Sequence, residues 1–363
     1  MSVGLLIGAG KIGQAIAHYM SMQGYELVVV DEHEQSLRGL DKLKGITTVI
    51  NSIENENDLK QLLSDKHFVV SAAPFYKNKM IAKAALQSGV SYFDLTEDVE
   101  IIKYIENLSK EATLGQFFVP ACGLAPGFIT ILGKSVADKF DKIFELKLRT
   151  GALPLYPTNQ LKYNLTWSTE GLINQYCNNC EAIHEGEIVY LPALGDLEAF
   201  TLDGIEYEAF NTSGGLGTLA HTLKNSVHKL DYKSIRYPGH QKYMHFLLSE
   251  LQMEHLENRN ILKEILEASI PGTKQDLCLI FVSASGMRNG KLEQISDVRK
   301  IINQDINHIH WGAIQVSTAM SVCAVIDLFC KNKFKGKGLV KQEDIALEDF
   351  LQTPFGAYFK AGL

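Results

Sequence analysis

The feature that most constrains this chain is the run Gly8-Ala9-Gly10-Lys11-Ile12-Gly13, which closes a short apolar stretch and opens a helical pattern. In such a turn the first glycine permits a tight reversal, the second lets a ligand approach the backbone, and the third lets helix and strand pack closely. Free N–H groups at the helix start then suit a pyrophosphate. Glycine-rich turns alone are common, but this one lies between strand and helix and is followed by an acid, Asp31, at the end of the next apolar run. Gly8, Gly10, Lys11, Ile12 and Gly13 are therefore candidate dinucleotide-binding residues, the alternative being a turn with no ligand.

Residues 3–7, 26–30, 46–50, 68–71, 90–93 and 116–119 are strand-like, with amphipathic stretches at 13–23, 56–64, 78–87 and 99–111 between them. Apolar runs without strict alternation predict strands covered on both faces, and the helices supply crossovers, so the expected fold is α/β, a doubly wound parallel sheet of Rossmann type. After about Pro126 the pattern changes to alternating strands and tight turns: 143–149, 182–191 around Glu185-Gly186, 200–210 around Asp203-Gly204, 277–283, and 292–295 after Arg288-Asn289-Gly290. With helical patterns at 170–176 and 243–267, these predict a second, α+β domain. The expected division is 1–125 for the dinucleotide, 126–310 for substrate and catalysis, and 311–363 as helices returning to the first domain. The stretch 311–330 approaches bilayer-spanning length, but Gln315, Ser317, Thr318, Ser321 and Asp327 interrupt it, which predicts a buried helix.

With 46% hydrophobic and 21% charged residues, the chain has enough apolar surface to exclude disorder as its main state. Its 35 Lys+Arg against 42 Asp+Glu, net −7, offer no electrostatic reason to seek nucleic acid or a membrane surface. Six scattered cysteines suit a reducing cytoplasm, and residues 1–7 carry no basic region or cleavage site for export, so a cytoplasmic location is expected. Cys177 and Cys180, with His184 beyond, have metal-like spacing, but no second pair completes a set and no metal is expected. His308 and His310 could be turn residues or could border a cleft. The basic run 331–341 reads as a solvated loop.

Asp31, with Glu32 beside it, would accept hydrogen bonds from ribose hydroxyls and oppose a 2′-phosphate, favouring NAD over NADP. Ligands of open α/β sheets lie beyond the carboxyl ends of the strands, so Ala72, Ala73 and Pro74, the segment 94–97, and the segment 121–127 with Cys122 and Gly123 should ring the nicotinamide. There Asp94 and Glu97 are acid/base candidates, although Asp94 could equally cap the helix that begins near Asp98. Cys122 could be a nucleophile, but a packed, inert thiol explains it more simply.

The whole chain resembles the saccharopine dehydrogenase and reductase superfamily, most closely its lysine 6-dehydrogenase branch. The resemblance rests on the GAGKIG turn and on residues 120–127, 149–154, 167–173, 210–216, 235–240 and 338–343, seven pieces in order. It implies a nicotinamide-dependent enzyme acting on the carbon–nitrogen bond of an amino acid or polyamine, here oxidative deamination of the lysine ε-amine to aminoadipate semialdehyde. It further implies Arg149 and Arg236 as ligands of the substrate carboxylate, unless each is an internal ion pair. Glu170 would hold the α-amine, His240 or Glu97 would move protons, and Tyr163, Trp167 and Thr212 would line the pocket. A homo-oligomer, dimer or higher, is expected. Saccharopine-forming relatives tend to carry an acid where this chain has Ala125, which favours the simple amine branch. The alternatives are a reductive condensing enzyme of the saccharopine or carboxynorspermidine type, or an NAD-binding sensor without turnover.

Overall fold

The computed structural model describes residues 2–360. The chain forms two compact units, one made of the residues up to Phe128 together with Ser317–Lys360, the other of Ile129–Val316. The first is built on β1 (Val3–Ile7), β2 (Glu26–Asp31), β3 (Ile46–Ile50), β4 (Phe68–Ser71), β5 (Ser91–Asp94) and β6 (Phe117–Val119). They pair in the order β6-β5-β4-β1-β2-β3 with every neighbour parallel, and the short strand Gly338–Leu339 adds to β6 from much later in the chain. Parallel neighbours need crossovers, supplied by helices such as Lys11–Met22, Asn78–Ser88 and Val99–Ser109. Leu5, Leu6, Val69, Val70 and Phe93 are fully buried, as unbroken apolar strands in a doubly covered sheet must be. Gly4 is glycine for space, since a Cβ there would overlap the Phe68 ring.

The second unit is a mixed sheet around the long β7 (Lys142–Pro154). It also contains β8 (Cys180–His184), β9 (Glu187–Leu191), β10 (Glu198–Leu202), β11 (Ile205–Asn211), β12 (Val227–Arg236), β13 (Asp276–Arg288) and β14 (Lys291–Ile302). The order is β10-β11-β12-β7-β13-β14, with the β8–β9 hairpin joined to β12. Three hairpins turn on Glu185-Gly186, Asp203-Gly204 and Asn289-Gly290, where both residues of each pair have positive φ, the geometry that matches strand twist. Helices Thr169–Cys177 and Leu256–Ser269 pack Leu172, Ile173, Tyr176, Leu262 and Leu266 with Phe210 against one face of the sheet. Leu153, Tyr207, Ala209, Ile235 and Leu279 form a smaller core on the other face.

The division between the units falls inside the helix Ala313–Cys330. Its length and apolar character would suit a bilayer, yet 78% of it is buried within the protein. Its Asp327 accepts the Tyr25 hydroxyl at 2.6 Å and Lys331 Nζ at 2.7 Å, so the one acid of the helix is satisfied. At its start the buried carboxylate of Asp276 accepts the Ala313 amide at 2.5 Å and the Ile314 amide at 3.1 Å. Removing these caps orphans two helix-terminal donors. Asp276→Ala is therefore expected to lower the unfolding free energy by about 1–2 kcal/mol, read as a lower midpoint in urea denaturation.

Candidate active site

In the first unit, the glycine turn lies at the carboxyl end of β1, and its three glycines answer to three different constraints. Gly8 has φ +95°, and a Cβ there would lie 2.7 Å from the Ala72 carbonyl oxygen. A Cβ on Gly13 would overlap the Gly8 carbonyl, so this residue sets how closely the helix meets the strand. A Cβ on Gly10 would meet no protein atom within 4 Å. That space lies against the first turn of the helix Lys11–Met22, which carries no acidic residue there. It is shaped for an anion approaching the backbone. Asp31, at the end of β2, accepts the Ala9 amide at 2.7 Å and the His33 amide at 2.8 Å, which fixes its carboxylate beside the turn. Ala72 and Ala73, half-buried after β4, lie against the same turn, while Pro74 is exposed. These residues fit a dinucleotide: a cradle for pyrophosphate, then an acceptor for ribose hydroxyls.

The structure gives Asp94 a different task from acid/base chemistry. Its carboxylate is fully buried and accepts the Thr96 amide at 3.0 Å, the Ala121 amide at 2.8 Å, the Tyr92 hydroxyl at 2.8 Å and Asn78 Nδ2 at 3.3 Å. Burial pushes it up to about 6, against the pull of these donors. With both oxygens engaged it pins β5 to the segment after β6. Nor does it cap the following helix, because Asp98 does so, accepting the Ile101 amide at 2.9 Å. Cys122 is a packed thiol held by Gln342 Nε2 at 3.1 Å, and burial raises its pKa well above the usual range, so it is neither nucleophile nor exposed cofactor contact. Gly123 follows it in the same closely packed segment. Glu97 is half-buried on the turn between β5 and the helix Val99–Ser109.

In the second unit, four Lys or Arg side chains are buried: Arg149, Lys233, Arg236 and Arg299. Arg149 meets Asp231 and, through Nη2, Glu198 at 2.8 Å. Lys233 meets Glu198 at 2.8 Å and Asp196 at 2.6 Å, and Arg299 meets Asp297 at 2.8 Å. Among the described residues no carboxylate pairs with Arg236. Its guanidinium packs over the Tyr163 ring at 5.1 Å and the Tyr176 ring at 5.9 Å. Nε donates to the Tyr176 hydroxyl at 3.0 Å and Nη1 to the Ile235 carbonyl at 2.8 Å, leaving Nη2 without a partner. A buried guanidinium stays charged, so this site calls for an anion.

His240 sits behind that cation. Its Nδ1 lies 2.9 Å from the Leu161 carbonyl, which can only accept, so Nδ1 carries the proton and Nε2 accepts from the Tyr176 hydroxyl at 3.1 Å. Burial and the Arg236 charge push the imidazole down to about 3, keeping it neutral. Both nitrogens are occupied, so His240 orients Tyr176 and Arg236 and is not a proton shuttle. Trp167 Nε1 donates to the Tyr163 hydroxyl at 3.1 Å, and Thr212 bonds Ser234 at 2.8 Å on the face of β12 that carries Arg236. Tyr163, Trp167, Thr212 and Arg236 thus belong to one side of the sheet.

Arg149 does not join them. It lies in register with Lys233, three residues from Arg236, and so projects to the opposite face of the sheet. Its charge is already answered by two acids, one of which, Glu198, stays at about 2 although burial opposes its ionisation. Arg149 is a structural ion pair and not a carboxylate ligand. Glu170 is half-exposed on the first turn of Thr169–Cys177, 3.8 Å from Lys263. His308 occupies a hairpin turn at φ 65° and His310 pairs with Asp305 at 2.9 Å. Tyr176, Ser234 and the acids around Arg149 escaped the sequence reading. Of these only Asp231 stood in a local pattern, the charged alternation Lys229, Asp231, Lys233 along β12.

The parallel sheet with its glycine cradle is a dinucleotide-binding fold, and the mixed-sheet unit that follows it in the chain carries a buried cation that no acid answers. Residues 5–119 match the family model described as the saccharopine dehydrogenase NADP binding domain, and residues 123–359 match the saccharopine dehydrogenase C-terminal domain. The chain belongs to the saccharopine dehydrogenase family. It is 22% identical to the mitochondrial alpha-aminoadipic semialdehyde synthase of Mus musculus over 90% of this chain and 36% of that protein. With the Rattus norvegicus protein of the same name it shares 23% identity over 66% of this chain and 27% of that protein. It spans between 27% and 36% of the length of these curated relatives. Apo saccharopine dehydrogenase (L-Glu forming) from Saccharomyces cerevisiae has the same fold, with TM-score 0.77, 14% identity, and coverage of 97% of this chain and 96% of that one.

The glycine geometry separates binding from folding. Gly10 has φ −69° and open space around its Cβ position, so Gly10→Val is expected to keep the native melting temperature while abolishing dinucleotide binding in a fluorescence titration. Retained affinity would show that the turn serves structure alone.

Proposed function

We propose that this protein is an NAD-dependent oxidoreductase that deaminates the ε-carbon of lysine, with Arg236 holding the substrate's α-carboxylate. The observation that carries this reading is the buried Arg236 guanidinium, which has phenol and carbonyl partners but no acid. A carboxylate would complete it with a charge-assisted pair. The nicotinamide supplies a hydride acceptor, so that lysine, NAD+ and water become aminoadipate semialdehyde, ammonia, NADH and a proton.

The chain's residues then have separate roles. Tyr176, held by His240, fixes the guanidinium with Nη2 free for the carboxylate. Tyr163 covers the cation and, steadied by Trp167, excludes water from it. The ammonium must lose a proton to a base before hydride leaves its carbon. Asp31 and Glu32 accept ribose hydroxyls and repel a 2′-phosphate, which supports NAD even though the matching family model is named for NADP.

A second reading, formation or cleavage of saccharopine, is favoured by the relatives' names. That substrate carries additional carboxylates, and the other three buried cations of the second unit are already paired with acids. This count favours the substrate with a single carboxylate.

Arg236→Ala is expected to lower kcat/KM for lysine about ten- to a hundredfold, the equivalent of about 1.5–3 kcal/mol, with dinucleotide affinity unchanged. Turnover of saccharopine but not lysine in an NADH absorbance assay would replace the first reading with the second. Binding titrations are expected to show NADH tighter than NADPH, and Asp31→Ser is expected to narrow the gap. Equal affinities in the native protein would overturn the cofactor choice.

A further inference from the structure

The first unit carries an open cavity of about 320 Å³ at the edge of its sheet opposite the glycine turn. Ser2, His67 and Phe117, which line it, stand at the amino ends of β1, β4 and β6, whereas the turn lies at the carboxyl end of β1. The 5 residues of β1, about 16 Å of strand, separate the two.

The walls of the cavity divide into an apolar floor and a rim of donors. Phe117, Phe329 and Phe334 form the floor, their ring centroids 5.7–6.5 Å apart and their planes tilted by 41–76°. Leu114, another lining residue, is 85% exposed, so a ligand that covers it removes apolar surface from water. The polar lining has one sign: among the described residues, no Asp or Glu borders the cavity. Lys335 is exposed and, among the described residues, meets no acid, whereas Lys331 and Lys333 of the same loop pair with Asp327 and Asp349 at 2.7 and 2.9 Å. His67 accepts the Val3 amide on Nδ1 at 3.0 Å, so in the neutral ring the proton sits on Nε2, a donor with no partner among the described residues. The Gly336 carbonyl, an acceptor at the rim, is already taken by the Gly115 amide at 2.9 Å.

We propose that this cavity binds a small aromatic carboxylate, its ring on the three phenylalanines and its anion against Lys335 and His67. Size, shape and charge select that class. A cavity of this volume falls at the lower end of small-molecule sites and suits one or two rings. Phenyl rings set at these angles offer both faces and edges to a further ring. A single unpaired lysine answers a single negative charge, whereas a nucleotide's phosphates would bring several. A free amino acid is selected against, because its ammonium would find no acid to meet it. The site is therefore distinct from the one assigned to lysine above and does not depend on that assignment.

4-Benzoylbenzoate, a monocarboxylate with two rings that bonds to neighbouring C–H groups under near-ultraviolet light, serves as the probe. Irradiating the whole chain with it, then digesting and mapping by mass spectrometry, is expected to place the label within residues 110–118 or 329–337, saturably with probe concentration. The labelling is expected to persist with NAD+ present and in Arg236→Ala, which removes the other carboxylate site. Lys335→Glu reverses the charge of an exposed side chain, and is expected to weaken labelling about three- to tenfold while keeping the native melting temperature. Absence of saturable label in those two segments overturns the proposal. Equal labelling of Lys335→Glu, or displacement of the label by NAD+, overturns it as well.

Discussion

A guanidinium carried out of water must be met by something, and the second unit meets two of them in opposite ways on the two faces of one sheet. Arg149 is answered by Asp231 and Glu198, which close its charge and leave it nothing to offer. Arg236 is answered by a tyrosine hydroxyl, a carbonyl and two ring faces, which hold it in place without neutralising it. Desolvating an ion is costly, and the cost is recovered only when a counter-charge arrives. Tyr163, Tyr176 and His240 pack so as to hold that cation in one orientation. The same contrast runs across the sheet: a closed ion network holds β7, β10 and β12 together, and a cation without an acid partner lies on the other side.

The first unit follows the same logic with carboxylates. Asp94 receives four donors and is spent on fixing the loops after β5 and β6. Asp31 receives two backbone amides, which set its direction at the carboxyl edge of the sheet while leaving acceptor capacity for a ligand. Buried depth and donor count, rather than residue type, distinguish the two acids.

Those differences explain what could be read from the chain in advance. The parallel sheet was legible because strands buried on both faces must be apolar throughout, and the glycine turn because Gly8 and Gly13 leave no room for any other residue. The three positive-φ hairpins announced themselves through Glu-Gly, Asp-Gly and Asn-Gly pairs. β12 was not legible, since Lys229, Asp231 and Lys233 make one face of an interior strand charged, and only partners distant in sequence permit that. For the same reason Arg149 and Arg236 look alike as letters. Which face of the sheet each takes depends on a register with β7 that no local pattern records. His240 was misread because an imidazole invites a proton-transfer role until both of its nitrogens are seen to be occupied.

The way the chain leaves and re-enters the first unit has a consequence for its biosynthesis. A ribosome delivers β1 to β6 early, but Ser317–Lys360, with the strand that lengthens the sheet beyond β6 and the Gln342 side chain that holds Cys122, emerges only after the whole second unit has been made. Until then the Phe128 ring lacks Phe350 and Phe359, its neighbours at 5.3 Å and 4.2 Å. The nascent nucleotide domain therefore waits with an open apolar flank while an intervening unit folds. That interval is when a holdase chaperone would have a surface to bind, and it closes when the late segment docks.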